Sequence, residues 1–465
     1  MSLLERVSDQ LEKGAEFLRE GAKRGEPTLI VAHYDADGLS SASIIAKALE
    51  ELNVEFHVTF VEQVYPDILA ELPLKEYERL VFLDLGSGYK EYIKRALEAR
   101  QPPLLIIDHH LPSPDSMPNL VEVNPHLAGI DASSLSSSST LAYLVARRIA
   151  PSVQAASCVA IAGALGDRLD NGEKFSLTGL NAEVVKEARE LGYVEESIGL
   201  RLFGPKSRPL VAALAATIDP FIPGITGSES AAYEFLRRIG IEPKVKDELR
   251  PLGSLTKQEE ALLATELIKH MLLSGASVRE AQKIVGYNYY SAKEPPTSML
   301  RDLREYAHVL NALGRMEQYA TGIALGLGYR GRFVARAEDA LRAYRRALAR
   351  TLARVEAEWG ELAREGTSAV IIFLEDLSPK LTGPLCSIIA GVFAGKLRGK
   401  KLVGVAARFG EGKWKVSFRR LTEEVNLGEL LRTIAKKLEG FGGGHPAAGG
   451  ILISERNVER LLAEV

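Results

Sequence analysis

Asparagine and glutamine are scarce in this 465-residue chain, at nine and seven. With two cysteines and five methionines, this is the thermolabile-residue depletion expected of a thermophile's protein. Two cysteines exclude a disulfide scaffold and a cysteine-rich metal site. Cys158 and Cys386 lie in small-residue helical contexts and read as buried thiols in a reducing compartment. A run of about 18 apolar residues is missing too, so no membrane span is expected. The opening MSLLERVSDQLEKGAEFLREGAKRG is patterned as an amphipathic helix rather than a secretory signal, and a cytoplasmic location is expected. Neither sign of charge dominates: 58 basic against 61 acidic residues leave a net charge of −3. The chain is therefore no bulk polyanion binder, and a nucleic-acid site has to be a local patch. Hydrophobic content of 46% supports two or three domains without a disordered segment.

What the chain does have is a series of apolar runs that end in metal-binding groups. TLIVAHYDADG (Thr28 to Gly38) ends in His33, Asp35 and Asp37. LVFLDLGSG delivers Asp84, LLIIDHH delivers Asp108, His109 and His110, and AIAGALGDRLD delivers Asp167 after a small-residue helix. Folding alone does not call for neighbouring carboxylates at a strand's end, and like charges that close repel unless a cation separates them. For the first motif by itself, the plain alternative is a solvated loop with Asp37 as helix N-cap. Four such tips in order, alternating with helical segments, predict a right-handed parallel α/β sheet with ligands converging on its carboxyl edge. Oxygen and imidazole donors without cysteine favour Mn2+ or Mg2+ over structural zinc.

HYDADG, DLG, IDHH and GALGDR resemble the four signature motifs of the DHH phosphoesterase superfamily. GFGGGHPAAGG (Gly440 to Gly450) resembles the glycine-rich signature of the DHHA1 substrate-binding domain. Together they resemble archaeal-type RecJ nucleases, some of which associate with the GINS replication complex. His33 stands where RecJ proper usually has an acid and where the superfamily's pyrophosphatases and small-oligonucleotide hydrolases have histidine, so direct ligation by His33 is left open. The resemblance implies two metal ions bridged by Asp84. One would also take His33 and Asp35, and the other Asp37, His109 and Asp167. Asp108 would orient a histidine, and His110 would touch the scissile phosphate or assist proton transfer. Two metals about 4 Å apart suit in-line attack on a phosphodiester by an activated water. No G-x-S-x-G elbow supplies a covalent nucleophile.

Residues 1–190 are expected to form the metal domain, opening with a helix over 1–26. Its serine cluster, Ser133 to Thr140, is either a linker or a helix N-terminus whose NH groups and hydroxyls, Ser138 among them, face a phosphate. Residues 191–330 read as a mainly helical insertion, a candidate docking site for a replication partner such as GINS. Within it Ser298 to Gly328 resembles a stretch packed beside the C-terminal domain. Its Arg301, Asn311 and Arg315 either reach a nucleic-acid groove or serve as caps and ion pairs. Residues 331–366 are expected to be a linker helix with a buried seam of Leu341, Leu348, Val355 and Leu362. Arg342, Arg346, Arg350 and Arg354 form either a basic rail or a solvated face.

Residues 367–465 are expected to form a smaller α/β domain. There Gly442, Gly443 and Gly444 would let backbone NH groups approach a phosphate. His445 would contact phosphate or sugar, and Arg419 resembles the phosphate-binding arginine of DHHA1 domains. An aromatic among Trp414, Phe418 and Phe441 would stack a base. The expected activity is an exonuclease acting on single-stranded DNA or RNA in replication or repair. Its rivals are a hydrolase of short oligonucleotides or cyclic dinucleotides, a pyrophosphatase, and a non-catalytic replication scaffold.

Overall fold

Three short runs, LIVA, LVFL and LLII, are apolar on both strand faces, which suits central strands of a parallel sheet covered on both sides. The computed structural model describes residues 2–98, 100–204, 206 and 208–465. They divide into two units, Met1–Leu341 and Arg342–Val465.

In the first unit, β1 (Thr28–His33), β2 (Phe56–Val61), β3 (Arg79–Leu83), β4 (Leu104–Ile107) and β5 (Leu120–Val123) form one sheet in the order β2-β1-β3-β4-β5. All its pairings are parallel. Ala32 is in register with Leu83, and Leu83 with Ile107. The next residues along the chain are His33, Asp84 and Asp108, so three strand tips stand side by side at one edge. A capping box of Ser2 and Glu5 starts the first helix, Leu3–Arg24.

The insertion is mainly helical, as expected, with two short strand pairings added. It is bracketed by an antiparallel ribbon of β6 (Val194–Leu200) and β9 (Val285–Ser291). Between them lie helices Leu210–Ala216, Glu229–Arg238, Lys257–Leu273 and Val278–Gln282 and a small hairpin, β7 (Lys244–Val245) with β8 (Glu248–Leu249). Leu214, Phe235, Leu263, Leu267 and Met271 give it a core of its own. The residues after β9 pack within the first unit. Helices Leu303–Arg315 and Tyr319–Gly326 lie on helix Ala36–Glu51, and the former also lies on Ser157–Gly166. Glycine permits this approach: a Cβ on Gly314 would stand 1.7 Å from the Tyr34 carbonyl oxygen.

Helix Arg332–Ala357 ends before the expected Gly366 and is followed by helix Trp359–Leu362 and β10 (Ala363–Glu365). In the second unit Leu348 and Val355 bury their side chains against Ile372, Ile389 and Val403. Arg342, Arg346 and Arg350 are exposed. Arg354 is paired with Glu358 at 2.9 Å and Asp376 at 2.7 Å. The sheet of this unit runs β10-β11-β12-β13-β15-β14, with β11 (Ala369–Phe373), β12 (Leu402–Arg408), β13 (Lys413–Arg420), β14 (Phe441–Gly444) and β15 (Ala448–Ser454). Only β11 and β12 pair in parallel. Among the described residues no helix is long and apolar enough to cross a membrane.

Candidate metal centre

The turn after β1 is built by Asp35 and Gly38. Asp35, not Asp37, is the N-cap of helix Ala36–Glu51, and its Oδ1 accepts from the backbone NH of Asp37 and of Gly38, each at 3.1 Å. A Cβ on Gly38 would stand 2.0 Å from the His33 carbonyl oxygen, so the chain reverses here only with glycine. Asp37 is thereby turned inward and fully buried.

The serine cluster is a helix N-terminus rather than a linker. Ser137 caps helix Ser138–Ala146 by accepting from Thr140 NH. The NH groups of Ser138 and Ser139 donate to Asp37 at 2.7 and 3.0 Å. The Ser138 hydroxyl donates to Asp84 Oδ1 at 3.0 Å. This corrects the expected phosphate contact. Ser138 is fully buried with both donors committed, so it positions carboxylates.

Asp84 occupies the centre, 3% exposed and held at φ 61° in the left-handed region. Its Oδ2 lies 3.2 Å from His33 Nδ1, which is also 3.1 Å from Asp35 Oδ2. On the other side, His109 Nε2 lies 3.6 Å from Asp84 Oδ1 and 3.2 Å from Asp167 Oδ2. Two principal donor sets result, His33–Asp35–Asp84 and Asp37–Asp84–His109–Asp167, and Asp84, His109 and His110 form a third, overlapping group, with the ligand atoms of each within 4.8 Å of one another. They share Asp84. The His109 Nδ1 faces the Ser136 carbonyl oxygen at 2.9 Å, which fixes the tautomer and leaves Nε2 for the centre.

Asp108 and His110 sit behind and beside this pair of sets. Asp108 Oδ1 accepts from the NH groups of His109 and His110 at 2.8 and 3.2 Å and lies 2.7 Å from His110 Nδ1. Its Oδ2 accepts from Ser87 NH at 3.0 Å. The His110 side chain is 44% exposed.

The electrostatics call for a cation. Burial first, then the charges of Asp37, Asp35, Asp167 and Asp108, push the Asp84 carboxyl well above the ordinary range. Burial and the nearby Asp167 charge push Asp37 up to about 6. Burial opposes charge on His109, but the hydrogen bond and charge of Asp167, with Asp37 and Asp108, push it up to about 10. Burial likewise opposes ionisation of Asp35, yet His33, the Gly38 NH and Arg315 hold it well below the carboxylate range. Carboxylates and imidazoles drawn this close fit divalent ions of the Mn2+ and Mg2+ kind, whose charge would relieve the carboxylate repulsion and displace the His109 proton.

Of the supporting residues, Asn124 escaped sequence reasoning, whereas Asn311, Arg315 and Arg301 fall to the expected alternative of caps and ion pairs. Asn124 donates to Ser87 Oγ at 3.0 Å and to the His110 carbonyl oxygen at 2.9 Å. Asn311 Oδ1 accepts from Ala36 NH at 3.2 Å and from Arg315 at 2.7 Å, bringing a guanidinium near Asp35. Arg301 proves structural, pairing with Glu195 and donating to the Ser291 and Glu294 carbonyls. These are single polar residues in otherwise ordinary stretches. Only the scarcity of asparagine marks Asn124.

Arg419 and the glycine run lie in the second unit. Arg419 is half-buried, donating to Ser387 Oγ at 2.8 Å and to the carbonyls of Phe418 and Gly383 at 2.9 and 3.2 Å. Gly442–Gly444 do not form the expected open loop. They are the edge strand β14, paired with Gly449–Ile451 of β15. Their smallness admits helix Leu427–Lys437: a Cβ on Gly442 would lie 2.8 Å from the Leu431 carbonyl oxygen. The turn that follows holds His445, exposed, with its NH on the Ala448 carbonyl oxygen at 2.8 Å. Trp414 and Phe418 belong to the core of this unit, which removes both as stacking partners, and Phe441 is half-buried.

The chain matches the model of the DHH family N-terminal domain over residues 27–163, of the DHH-CID domain over 202–285 and of the DHHA1 domain over 367–465. An uncharacterised protein of Methanocaldococcus jannaschii is 29% identical over 456 residues, covering 94% of this chain and 91% of the relative. The single-stranded-DNA-specific exonuclease RecJ of Thermus thermophilus is 27% identical over 121 residues, 25% of this chain and 18% of that protein. Its structure with Mn2+ superposes with a TM-score of 0.57 at 18% identity, covering 98% of this chain and 54% of the other, so this chain spans about half that RecJ's length. CDC45 of Entamoeba histolytica superposes with a TM-score of 0.63 at 10% identity, over 97% of both chains.

Proposed function

We propose that this chain, which belongs to the DHH family and carries DHH-CID and DHHA1 domains, is a divalent-metal-dependent exonuclease on single-stranded nucleic acid. One observation carries the reading: Asp84 belongs to both donor sets. Divalent ions bound by these sets would supply Lewis-acid charge and activate a water for attack on a phosphodiester. The chain's own residues do the rest. His33 and Asp35 would hold one ion, and Asp37, His109 and Asp167 the other, with Asp84 available to both. Asp108 sets the half-exposed His110 ring, which would meet the scissile phosphate or assist proton transfer.

A time course on end-labelled single strands, DNA and RNA side by side, tests this. With Mn2+ the strands shorten progressively from one end, and EDTA stops the reaction. Cleavage at random internal positions, or none in Mn2+, would contradict it. The likeness to CDC45 over nearly the whole chain favours a second reading, a replication scaffold without catalysis. The presence of two complete donor sets in this chain favours the enzyme.

In the second unit, Arg419 and His445 are assigned to phosphates beyond the scissile one. Arg419→Ala and His445→Ala should each depress cleavage of a long strand by roughly tenfold relative to a nitrophenyl phosphodiester, since a lost positioning contact raises KM without harming the metal centre. Arg419→Ala should also flatten the salt dependence of strand binding. Equal loss on both substrates would place these residues in the catalytic centre instead.

The insertion is assigned to partner docking, with the GINS complex as the candidate. It leaves Leu273 81% and Val278 62% exposed. Leu273→Glu with Val278→Glu should weaken capture of purified GINS by about tenfold, the loss expected when an apolar anchor is removed. Cleavage of free strands should stay at the wild-type rate. Unchanged capture would count against the assignment.

A further inference from the structure

The loops that flank the metal centre carry more than ligands. Val61, the last residue of β2, is in register with His33. The chain then leaves the sheet as Glu62, Gln63, Val64 and Tyr65 beside the first donor set. On the other flank, Asp84 leads into a short turn, Ser87–Tyr89. This turn is tied to the segment after His110: Ser113 NH donates to the Ser87 carbonyl oxygen at 2.7 Å, and a Cβ on Gly88 would lie 3.3 Å from the Leu111 carbonyl oxygen. Asp108 holds the Ser87 NH as well as the His110 ring, so turn and histidine share one anchor.

Aromatic and amide groups meet at this rim. The Tyr65 and Tyr89 rings stand edge to face with centroids 6.1 Å apart, and Tyr89 stacks on Tyr92 at 6.0 Å. All three are half-buried, and Leu111 beside them is 54% exposed. Rings that only sealed the layer of Leu69, Phe82, Leu85 and Ile93 beneath would be covered. Here apolar surface is left open next to a strongly polar centre, which marks a binding surface. Gln63 adds a polar contact: its Oε1 is enclosed yet meets no hydrogen-bond partner among the described residues. A buried acceptor left unmet is costly, and this one is open to a donor on a ligand seated at the rim.

We propose that Gln63, Tyr65 and Tyr89 form a nucleobase subsite beside the metal centre, gripping the base of the nucleotide whose phosphodiester is cut. The inference rests on the nucleic-acid reading of the same site and adds to it a grip on the base. The tyrosines supply stacking, which accepts every base because each has a π face. Gln63 supplies an amide for the base edge and so a preference among bases.

The test uses the full chain and thymidine strands carrying 2-aminopurine at one end or the other, with Ca2+ in place of Mn2+ to hold cleavage off. Wild type should quench the probe at one end. Tyr89→Ala should weaken that quenched complex about tenfold, the loss expected for one stacked base, and Tyr89→Phe should restore it. Absence of quenching at both ends, or quenching by Tyr89→Ala equal to wild type, would overturn the proposal. If Tyr89→Ala fails to fold by circular dichroism, Gln63→Leu, of similar volume, decides. It should change the order of preference among the four terminal bases, and an unchanged order would overturn the subsite. Quenching without hydrolysis in Mn2+ would count against the exonuclease reading and leave the subsite standing.

Discussion

Asp84→Ala should lose at least ~10³-fold in turnover on an end-labelled strand, because the side chain that faces both donor sets is removed and a Lewis acid contributes several kcal/mol to such a transition state. The fold should survive. Asp84 lies at a sheet edge, and burial with four neighbouring carboxylates works against its charge when no ion is present. In EDTA the variant's melting temperature should therefore match or exceed that of wild type. In Mn2+ wild type should gain stability by mass action and the variant should gain much less. The measurement is a pair of melting curves with and without Mn2+ beside the strand assay. Activity near wild type would remove Asp84 from the centre of the mechanism.

The next largest effect is expected at Asp108, which need touch neither ion nor substrate. Its Oδ1 gathers the NH groups of His109 and His110 and the His110 ring, and its Oδ2 takes the Ser87 NH. Burial opposes its charge, but His110 and then His109 hold its carboxyl well below the carboxylate range. Asp108→Ala should leave several donors without an acceptor and free the His110 ring. Loss of such a ligand-orienting partner costs about 10- to 100-fold in metal affinity or activity. Mn2+ affinity, read by calorimetry, separates two routes. Weakened binding means the ligand His109 has shifted. Intact binding with a slow reaction means His110 was misplaced. Wild-type behaviour in both would show that the Asp108 hydrogen bonds are dispensable.

The first sheet was legible because its central strands are apolar on both faces and each stops at a carboxylate. That pattern announces strand, edge and ligand together. The seven-residue spacing of Leu348 and Val355 likewise marked the buried seam of the long helix. The misreadings share a cause: a residue's partner lay far away in the chain. Ser138 looked free to meet phosphate because nothing nearby shows that Asp37 and Asp84 take its donors from more than 50 residues upstream. Gly442–Gly444 looked like a phosphate loop because glycine serves close approach of any backbone, and here the approaching group is helix Leu427–Lys437. The packing of the helices after β9 on the first unit was hidden for the same reason. Gly314 against Tyr34 is a contact between elements nearly 280 residues apart in the chain.

Crystals of the full chain soaked in Mn2+ and measured at the manganese absorption edge test the central claim most directly. The account predicts two anomalous peaks, both within coordination distance of Asp84. One would also touch His33 and Asp35, and the other Asp37, His109 and Asp167. A single peak, or two peaks of which one is out of reach of Asp84, would contradict it.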